Sequence, residues 1–313
     1  MRATTTNPKV RYEPLNLLSL NDLAWRLGEE RPLLKRLADN IALHYKPFHQ
    51  AKKAKPYQHV ISSKKRSIDN PSEELKSVQR RIVRKLLGQT PPDFLFGAVK
   101  GKTIHDNAAL HHGAQYVVKM DIKSYYPSVT NDHVYRIWRH ELGCSHEVAK
   151  LLTRLTTYER HLPQGAPTSS ILANIYLSSV YEPILERCSN LDLKTGAFVD
   201  DLVFSGGAAA KGMMQPTRKL LGRDGFSFSA RKREVLGPRD SKLITGIRDG
   251  RDGPRAPYGK LADLRAGFHK LAVGAVPESE NADYIKRLAA RVSHVNTICP
   301  KDAAKYIALL KKL

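Results

Sequence analysis

The sequence predicts an α+β fold. Amphipathic helical stripes lie toward both ends of the chain, two compact runs of β-forming residues lie in its middle, and 41% hydrophobic against 26% charged residues is a soluble globular balance. At 313 residues, the chain holds about two domains at roughly 150 residues each. No apolar run reaches the roughly 18 residues a membrane-spanning helix needs, so no membrane is expected as a partner. The opening residues MRATTTNPKVRYEPLNLL lack an apolar core with a small-residue cleavage site. Cys144, Cys188 and Cys299 are scattered and odd in number. They make neither a disulfide framework nor a paired zinc signature, so a cytoplasmic setting is expected.

Residues 14–45 read as short helices, with Leu23, Leu27, Leu33, Leu34 and Leu37 at helical spacing and Asn21 or Asp22 as N-caps. A basic, proline-punctuated stretch follows, in which Tyr57–Ile61 and Arg66–Ile68 flank Ser63–Lys64 as a small hairpin. Leu75, Val78, Ile82 and Leu86 then make the apolar stripe of a helix with a basic outer face. Tyr116–Met120 and Gly196–Phe204 are the two β-rich runs, and Pro183 and Gly206–Gly207 mark boundaries. Leu261, Leu264, Phe268 and Leu271 form one late stripe, and Ile285, Leu288, Val292 and Val295 a second, before Pro300 and a last helical segment. Residues from about 250 onward are expected to form a small helical bundle.

Charge gives the first functional clue. Lys and Arg number 52 against 30 Asp and Glu, a net +22. Such an excess costs self-repulsion on folding, and a polyanion is its usual compensating partner. The excess is concentrated in flanks: 14 basic against 4 acidic residues from Lys46 to Lys102, and 12 against 6 from Arg251 onward. A middle segment that keeps its acids between basic arms suits an enzyme acting on nucleic acid better than a simple binder.

Those acids sit in VVKMDIKSYYPS (117–128) and GAFVDDLVFSG (196–206). In the second, β-formers approach Asp200–Asp201 and leave at once, which describes a hairpin with the acids at its tip. Asp is also simply a good turn residue. Adjacent carboxylates repel, however, and a bound cation removes that cost. If the strand ending at Asp121 neighbours this hairpin, Asp121 and Asp200 converge. Convergent carboxylates in a basic protein suit Mg2+ held against substrate phosphates. Two such ions roughly 3.5–4 Å apart serve an in-line displacement of pyrophosphate. LPQGAPTSSILANIYL (162–177) adds Gln164–Gly165, where glycine lets the backbone approach a ligand, ahead of an apparent helix.

In order along the chain, these segments resemble the reverse-transcriptase palm. Asp121 matches the first catalytic-aspartate motif, Gln164–Gly165 the QG motif, and Phe198–Val199–Asp200–Asp201 the Tyr-x-Asp-Asp box. GFSFSARK matches the next motif at Gly225, Phe226, Phe228 and Lys232. Asn107–Ala108–Ala109–Leu110–His111 looks like the NAxxH element of retron reverse transcriptases, and Ile244–Thr245–Gly246 like their VTG element. The resemblance covers about residues 45–250.

What the resemblance implies is a right-hand polymerase with an antiparallel palm sheet: N-terminal helices and fingers over 1–115, palm over 116–248 with part of 130–162 in the fingers, and a helical thumb over 249–313. Asp121 and Asp200 would bind two Mg2+ ions, with Mn2+ as a substitute, the Ile122 carbonyl completing a ligand set and Asp201 adding negative charge. Lys232 would donate a proton to the leaving pyrophosphate. Lys65 and Arg66 would grip the incoming dNTP, with a solvated face the alternative for Lys65, while R-x-I-x-x-P (Arg66, Ile68, Pro71) fits the family pattern at Arg66. Tyr126 would reject a ribose 2′-hydroxyl; packing against Tyr125 is its alternative. Gln164 and Gly165 would line the dNTP site. Asn107, His111, Phe198, Thr245 and Gly246 would face RNA or primer, with plain helix packing the alternative for Asn107 and His111.

The implied activity is an RNA-directed DNA polymerase that pairs with its own structured noncoding RNA. It would prime from a guanosine 2′-hydroxyl to make branched RNA–DNA (msDNA), holding an RNA–DNA hybrid, and would act in antiphage defence with a separate effector protein. The sequence departs from the family at Phe198 for Tyr, Val199 for Ala and Ser170 for Pro, none of which removes a metal ligand. The rivals are another bacterial reverse transcriptase (group II intron-like, diversity-generating or abortive-infection type) and a catalytically silent RNA-binding scaffold, against which the intact aspartates argue. Two other patterns fail on spacing. Gly97 to Gly101 is one residue short of a phosphate-binding loop, and His140, Cys144 and His146 lack a fourth zinc ligand.

Overall fold

The computed structural model describes residues 12–51 and 65–313. Helices α1 (Leu20–Leu27) and α2 (Arg31–Asp39) bury Leu23, Leu27, Leu34 and Leu37. The cap of α1 is Ser19, not Asn21 or Asp22. Asp22 stands three residues later and closes a reciprocal capping box, while Gly28 ends the helix at φ 67°. After a short 3₁₀ turn, β1 (Tyr45–Ala51) pairs antiparallel with β2 (Lys65–Pro71), from Tyr45↔Pro71 to Ala51↔Lys65. The hairpin therefore begins earlier than the sequence suggested, and Tyr57–Ile61 lies outside the described residues. Ser72 caps α3 (Glu73–Leu86), whose predicted stripe of Leu75, Val78, Ile82 and Leu86 is wholly buried.

Thr103 and Asp106 form the capping box of α4 (Ile104–Leu110). Beyond it come β3 (Tyr116–Asp121), α5 (Tyr125–Ser128), α6 (Asn131–Arg136) running into a π turn, and α7 (His146–Thr156). The helix α8 (Ser169–Asn190) passes straight through Pro183, which therefore marks no boundary. An interior proline costs about 3 kcal/mol. Tyr181, Ile184 and Cys188, buried on either side of it, offset that cost.

Strands β4 (Lys194–Phe198) and β5 (Asp201–Gly206) follow, then α9 (Met214–Gly222) and β6 (Glu234–Leu236). The central sheet has the antiparallel order β4-β5-β3-β6. A three-stranded sheet of β7 (Leu243–Ile244), β8 (Ile247–Gly250) and β9 (Gly253–Arg255) leads to α10 (Tyr258–Ala272), α11 (Glu278–Ile298) and α12 (Pro300–Leu310).

Strand alternation divides the interior in two. Val118, Met120, Ile122, Leu202 and Phe204 face the larger core with α3, α7 and α8. Val117 and Val203, on the opposite face of the sheet, join a second core with Ile244, Ile247, Leu264, Leu288, Val292 and Tyr306. The C-terminal helices are thus not a free-standing bundle. Only Leu264 of the first late stripe is fully buried; the second core is built mainly from α11, α12 and the β7–β8 strands, with Val117 and Val203 added from the central sheet.

Candidate functional site

The three acids converge as the pattern requires. Asp121 ends β3 directly opposite Asp201 of β5, so both project from the same face of the sheet. Phe198 pairs with Asp201 across the β4–β5 hairpin, which leaves Val199 and Asp200 as a two-residue turn. The Ile122 amide donates to the Asp200 carbonyl at 2.8 Å, tying the turn to β3. One carboxylate oxygen from each of Asp121, Asp200 and Asp201 lies within 4.8 Å of the others.

Electrostatics make this cluster costly by itself. Burial, followed by the charge of Asp121, raises the Asp200 pKa. Burial, then Asp200 and Asp121, push Asp201 up to about 6. Lys232, brought in by a 3₁₀ turn at Ala230–Lys232, forms an ion pair with Asp121. Burial lowers the Lys232 pKa, but the bond to Asp121 and the charges of all three acids outweigh it, and the net direction is upward. Three hard oxygen donors at mutual ligand distance fit a divalent cation of the Mg2+ type.

The turn itself is strained. Val199 has φ 60°, a region that disfavours a β-branched side chain and costs of order 1–3 kcal/mol. It is held from outside. Residues Phe94–Gly97 run alongside β4, with Phe96 N–H donating to the Ala197 carbonyl at 2.8 Å and Ala197 N–H donating to the Phe94 carbonyl at 2.7 Å. A methyl group on Gly97 would sit 2.4 Å from Val199 N. Asn174 of α8 donates to the Gly97 carbonyl at 2.8 Å. No local pattern in the sequence marks Gly97 or Asn174 as site residues, because their roles rest on contacts with Val199 and with each other across the fold.

Around this centre, the Tyr126 and Ser170 hydroxyls are hydrogen-bonded at 2.8 Å, while Tyr125 is buried and donates to the Ala173 carbonyl. Tyr126 lies near enough to feel the charge of Asp200. Gln164 and Gly165 are fastened to β2: Asp69 N–H donates to the Gln164 carbonyl at 2.9 Å, and Gln164 N–H donates to the Asp69 carboxylate at 3.0 Å. Gly165, at φ 141°, presses on the Asp69 carbonyl so closely that a Cβ would come within 2.9 Å. Lys65 and Arg66 are exposed at the other end of β2. Asp69 is a further site residue, buried inside a basic flank, and its role depends on Gln164, 95 residues away.

Asn107 and His111 correct the expectation of direct contact with RNA. Both are fully buried. His111 Nδ1 meets Ser205 Oγ at 2.7 Å, and Asn107 and His111 crowd the bare α-carbon of Gly196. Burial, then the charge of Lys194, lowers the His111 pKa to about 4, so the ring is neutral. Their i, i+4 spacing puts both on the face of α4 turned against the central sheet. Thr245 and Gly246, at φ 47° and 81°, form the tight turn between β7 and β8, and the Thr245 hydroxyl donates to the Ile104 carbonyl of α4. His112 and Asp249 close the same joint at 2.6 Å. The two subfamily elements therefore meet each other, binding α4 to the central sheet on one side and to β7–β9 on the other.

Residues 51–248 match the family model described as reverse transcriptase (RNA-dependent DNA polymerase). Retron Ec86 reverse transcriptase of Escherichia coli is 26% identical over 254 residues, 79% of this chain and 77% of its own length. Retron Se72 reverse transcriptase of Salmonella heidelberg is 29% identical over 198 residues, 63% of this chain and 50% of its own. Retron Mx162 reverse transcriptase of Myxococcus xanthus is 28% identical over 286 residues, 80% and 58% respectively. The chain thus spans between half and about three quarters of these relatives' lengths.

Proposed function

The chain belongs to the reverse transcriptase family and is of the retron type, and from that premise we propose that it copies part of its own structured noncoding RNA into DNA, primed from a 2′-hydroxyl to give a branched molecule. The observation that carries the catalytic part of this reading is the convergence of Asp121, Asp200 and Asp201 with ligand atoms within 4.8 Å. In this reading, residues to about 115 are fingers, 116–248 palm and 249–313 thumb. The partners are dNTPs, the cognate RNA and the RNA–DNA hybrid, with a separate effector protein in antiphage defence. No helix among the described residues is long and apolar enough to cross a membrane.

Asp121 and Asp200 would hold two Mg2+ ions, or Mn2+ in their place, with the Ile122 carbonyl as an added ligand. Bound there, the ions supply charge neutralisation for the attacking hydroxyl and for the departing pyrophosphate. Asp201 adds negative charge to the same face. Lys232 stands beside Asp121 with its pKa raised, so it is charged at neutral pH and placed to give a proton to the leaving group. Tyr126, its hydroxyl held by Ser170, would press its ring on the sugar and select against a 2′-hydroxyl. Gln164 and Gly165 present the backbone beside the nucleotide, on a loop that Asp69 fixes to the hairpin bearing Lys65 and Arg66. Those two exposed cations would reach the triphosphate. Phe198, at the foot of the catalytic turn, would support the primer end. Asn107, His111, Thr245 and Gly246 would serve RNA indirectly, by fixing α4 and the β7–β8 turn.

The test is to express the protein with its neighbouring noncoding DNA and sequence the nucleic acid that copurifies. The reading expects DNA joined to RNA through a 2′–5′ branch. Recovery of unbranched RNA alone from an otherwise active polymerase would reject the retron-type product.

A further inference from the structure

The element that carries Tyr126 has little structure of its own. Helix α5 is a single turn of four residues, entered through Ser124 in the left-handed region at φ 50° and without a side-chain cap. One turn of helix is unstable alone, so α5 takes its position from what its side chains hold. Both tyrosines hold α8. The Tyr125 hydroxyl donates to the Ala173 carbonyl at 2.8 Å, and the Tyr126 and Ser170 hydroxyls meet at 2.8 Å. Ser170 and Ala173 stand three residues apart, on one face of α8.

The two anchors differ in kind. Tyr125 is buried, and its acceptor is backbone, which persists whatever side chain α8 carries there. Tyr126 is half-buried and close enough to the catalytic turn to feel the charge of Asp200. Among the described residues, the only hydrogen-bond partner of its hydroxyl is the side chain of Ser170. The rings of Tyr125 and Tyr126 lie 5.9 Å apart with tilted planes, a contact that leaves the hydroxyl end of Tyr126 to Ser170. The neighbouring Ser169 donates to the Pro163 carbonyl at 2.6 Å, directly ahead of Gln164–Gly165. The first turn of α8 therefore fastens two parts of the site at once, the Gln164–Gly165 loop through Ser169 and Tyr126 through Ser170.

Choosing a deoxyribose over a ribose means refusing one oxygen atom, and a wall refuses it only as firmly as the wall stays in place. A tethered ring must break its bond to move aside; a free ring moves without that cost. We propose that Ser170 is a positioning residue for sugar selection, tying the Tyr126 hydroxyl to the first turn of α8 so that the ring does not give way to a ribose 2′-hydroxyl. The inference rests on the reading of Tyr126 as the group that meets the sugar. It places part of the selectivity in a side chain that acts through Tyr126.

The test is single-nucleotide incorporation by the full chain on a primed RNA template, comparing kcat/KM for a dNTP with that for the matching rNTP. One neutral hydrogen bond sets the scale, so Ser170→Ala should lower the dNTP-to-rNTP ratio by about three- to tenfold, chiefly through better use of the rNTP. A merely structural loss would lower both values together and leave the ratio alone. Ser170→Thr keeps the hydroxyl and should keep the ratio. Tyr126→Phe removes the other half of the same bond and should lower the ratio by the same factor, and the double variant should go no further. A wild-type ratio in Ser170→Ala, or effects that multiply in the double variant, would overturn the proposal. Tyr126→Ala tests the reading beneath it. A ratio that collapses in Tyr126→Ala but holds in Ser170→Ala removes only the role of Ser170, whereas an unchanged ratio in Tyr126→Ala removes the selecting role of Tyr126 and this inference with it.

Discussion

Replacing Asp201 by Asn should stabilise the protein in the absence of divalent metal. In the folded state burial, then Asp200 and Asp121, raise the Asp201 carboxyl from 3.8 to about 6. The folded state therefore binds the proton more tightly than the unfolded chain. Stability associated with this group is present at low pH and is lost as pH rises from about 4 through 6. At 1.36 kcal/mol per pH unit, that interval is worth about 3 kcal/mol. Asp201 is only partly buried, and the nearby Lys232 relieves some of the repulsion, so about 1–2 kcal/mol is the expected gain. In a chain of this size that raises Tm by about 2–6 °C. The assay is thermal unfolding with a chelator present. Asp201→Asn should melt above wild type at neutral pH, and the gap should close near pH 4. Adding Mg2+ should raise wild-type Tm at neutral pH and do much less for the variant. A variant that melts at or below wild type in chelator at neutral pH would refute the reasoning.

Other residues give independent checks. Asp69→Ala leaves the Gln164 amide without its acceptor, a loss of about 1–3 kcal/mol; single-nucleotide incorporation should fall roughly tenfold or more, while Asp69→Asn, still an acceptor, should retain most activity. Gly97→Ala forces a methyl against the Val199 backbone, so primer extension should fall by about a hundredfold and Tm should drop with an overpacking cost of about 1–3 kcal/mol. Gly196→Ala would press on Asn107 Oδ1 at 2.6 Å and should destabilise the fold by a similar amount, seen as a lower urea midpoint.

Much of the site was legible because its chemistry is written in local patterns. The alternation around Asp121 and the break at Asp200–Asp201 fix strand and turn. Asp121 and Asp201 stand directly opposite in register, and directly opposed residues of antiparallel strands share a face. The stripe of α3 was equally readable, since Leu75, Val78, Ile82 and Leu86 answer one helical period. What escaped depended on partners distant in sequence. Asp69 matters only because Gln164 lies 95 residues away. Asn107 and His111 fit either RNA contact or helix packing by sequence, and only their position against the bare backbone of Gly196, distant in the chain, shows that they pack inside. Pro183 suggested a break because the local penalty is visible in sequence and the burial of Tyr181 and Ile184 around it is not. The final helices read as a small bundle, and nothing local reveals that Val117 and Val203 of the central sheet join their core.

Asp200→Asn tests the catalytic centre most directly. The variant keeps shape and backbone bonds but removes one charge from the group of three. With a primed RNA template, dNTPs and Mg2+, synthesis should fall by about a thousandfold or more, corresponding to about 4 kcal/mol of lost transition-state stabilisation. Affinity for the RNA should stay within about threefold of wild type, because the basic flanks are untouched. DNA synthesis by the variant within about tenfold of wild type would mean that the carboxylates at Asp121, Asp200 and Asp201 are not the catalytic centre.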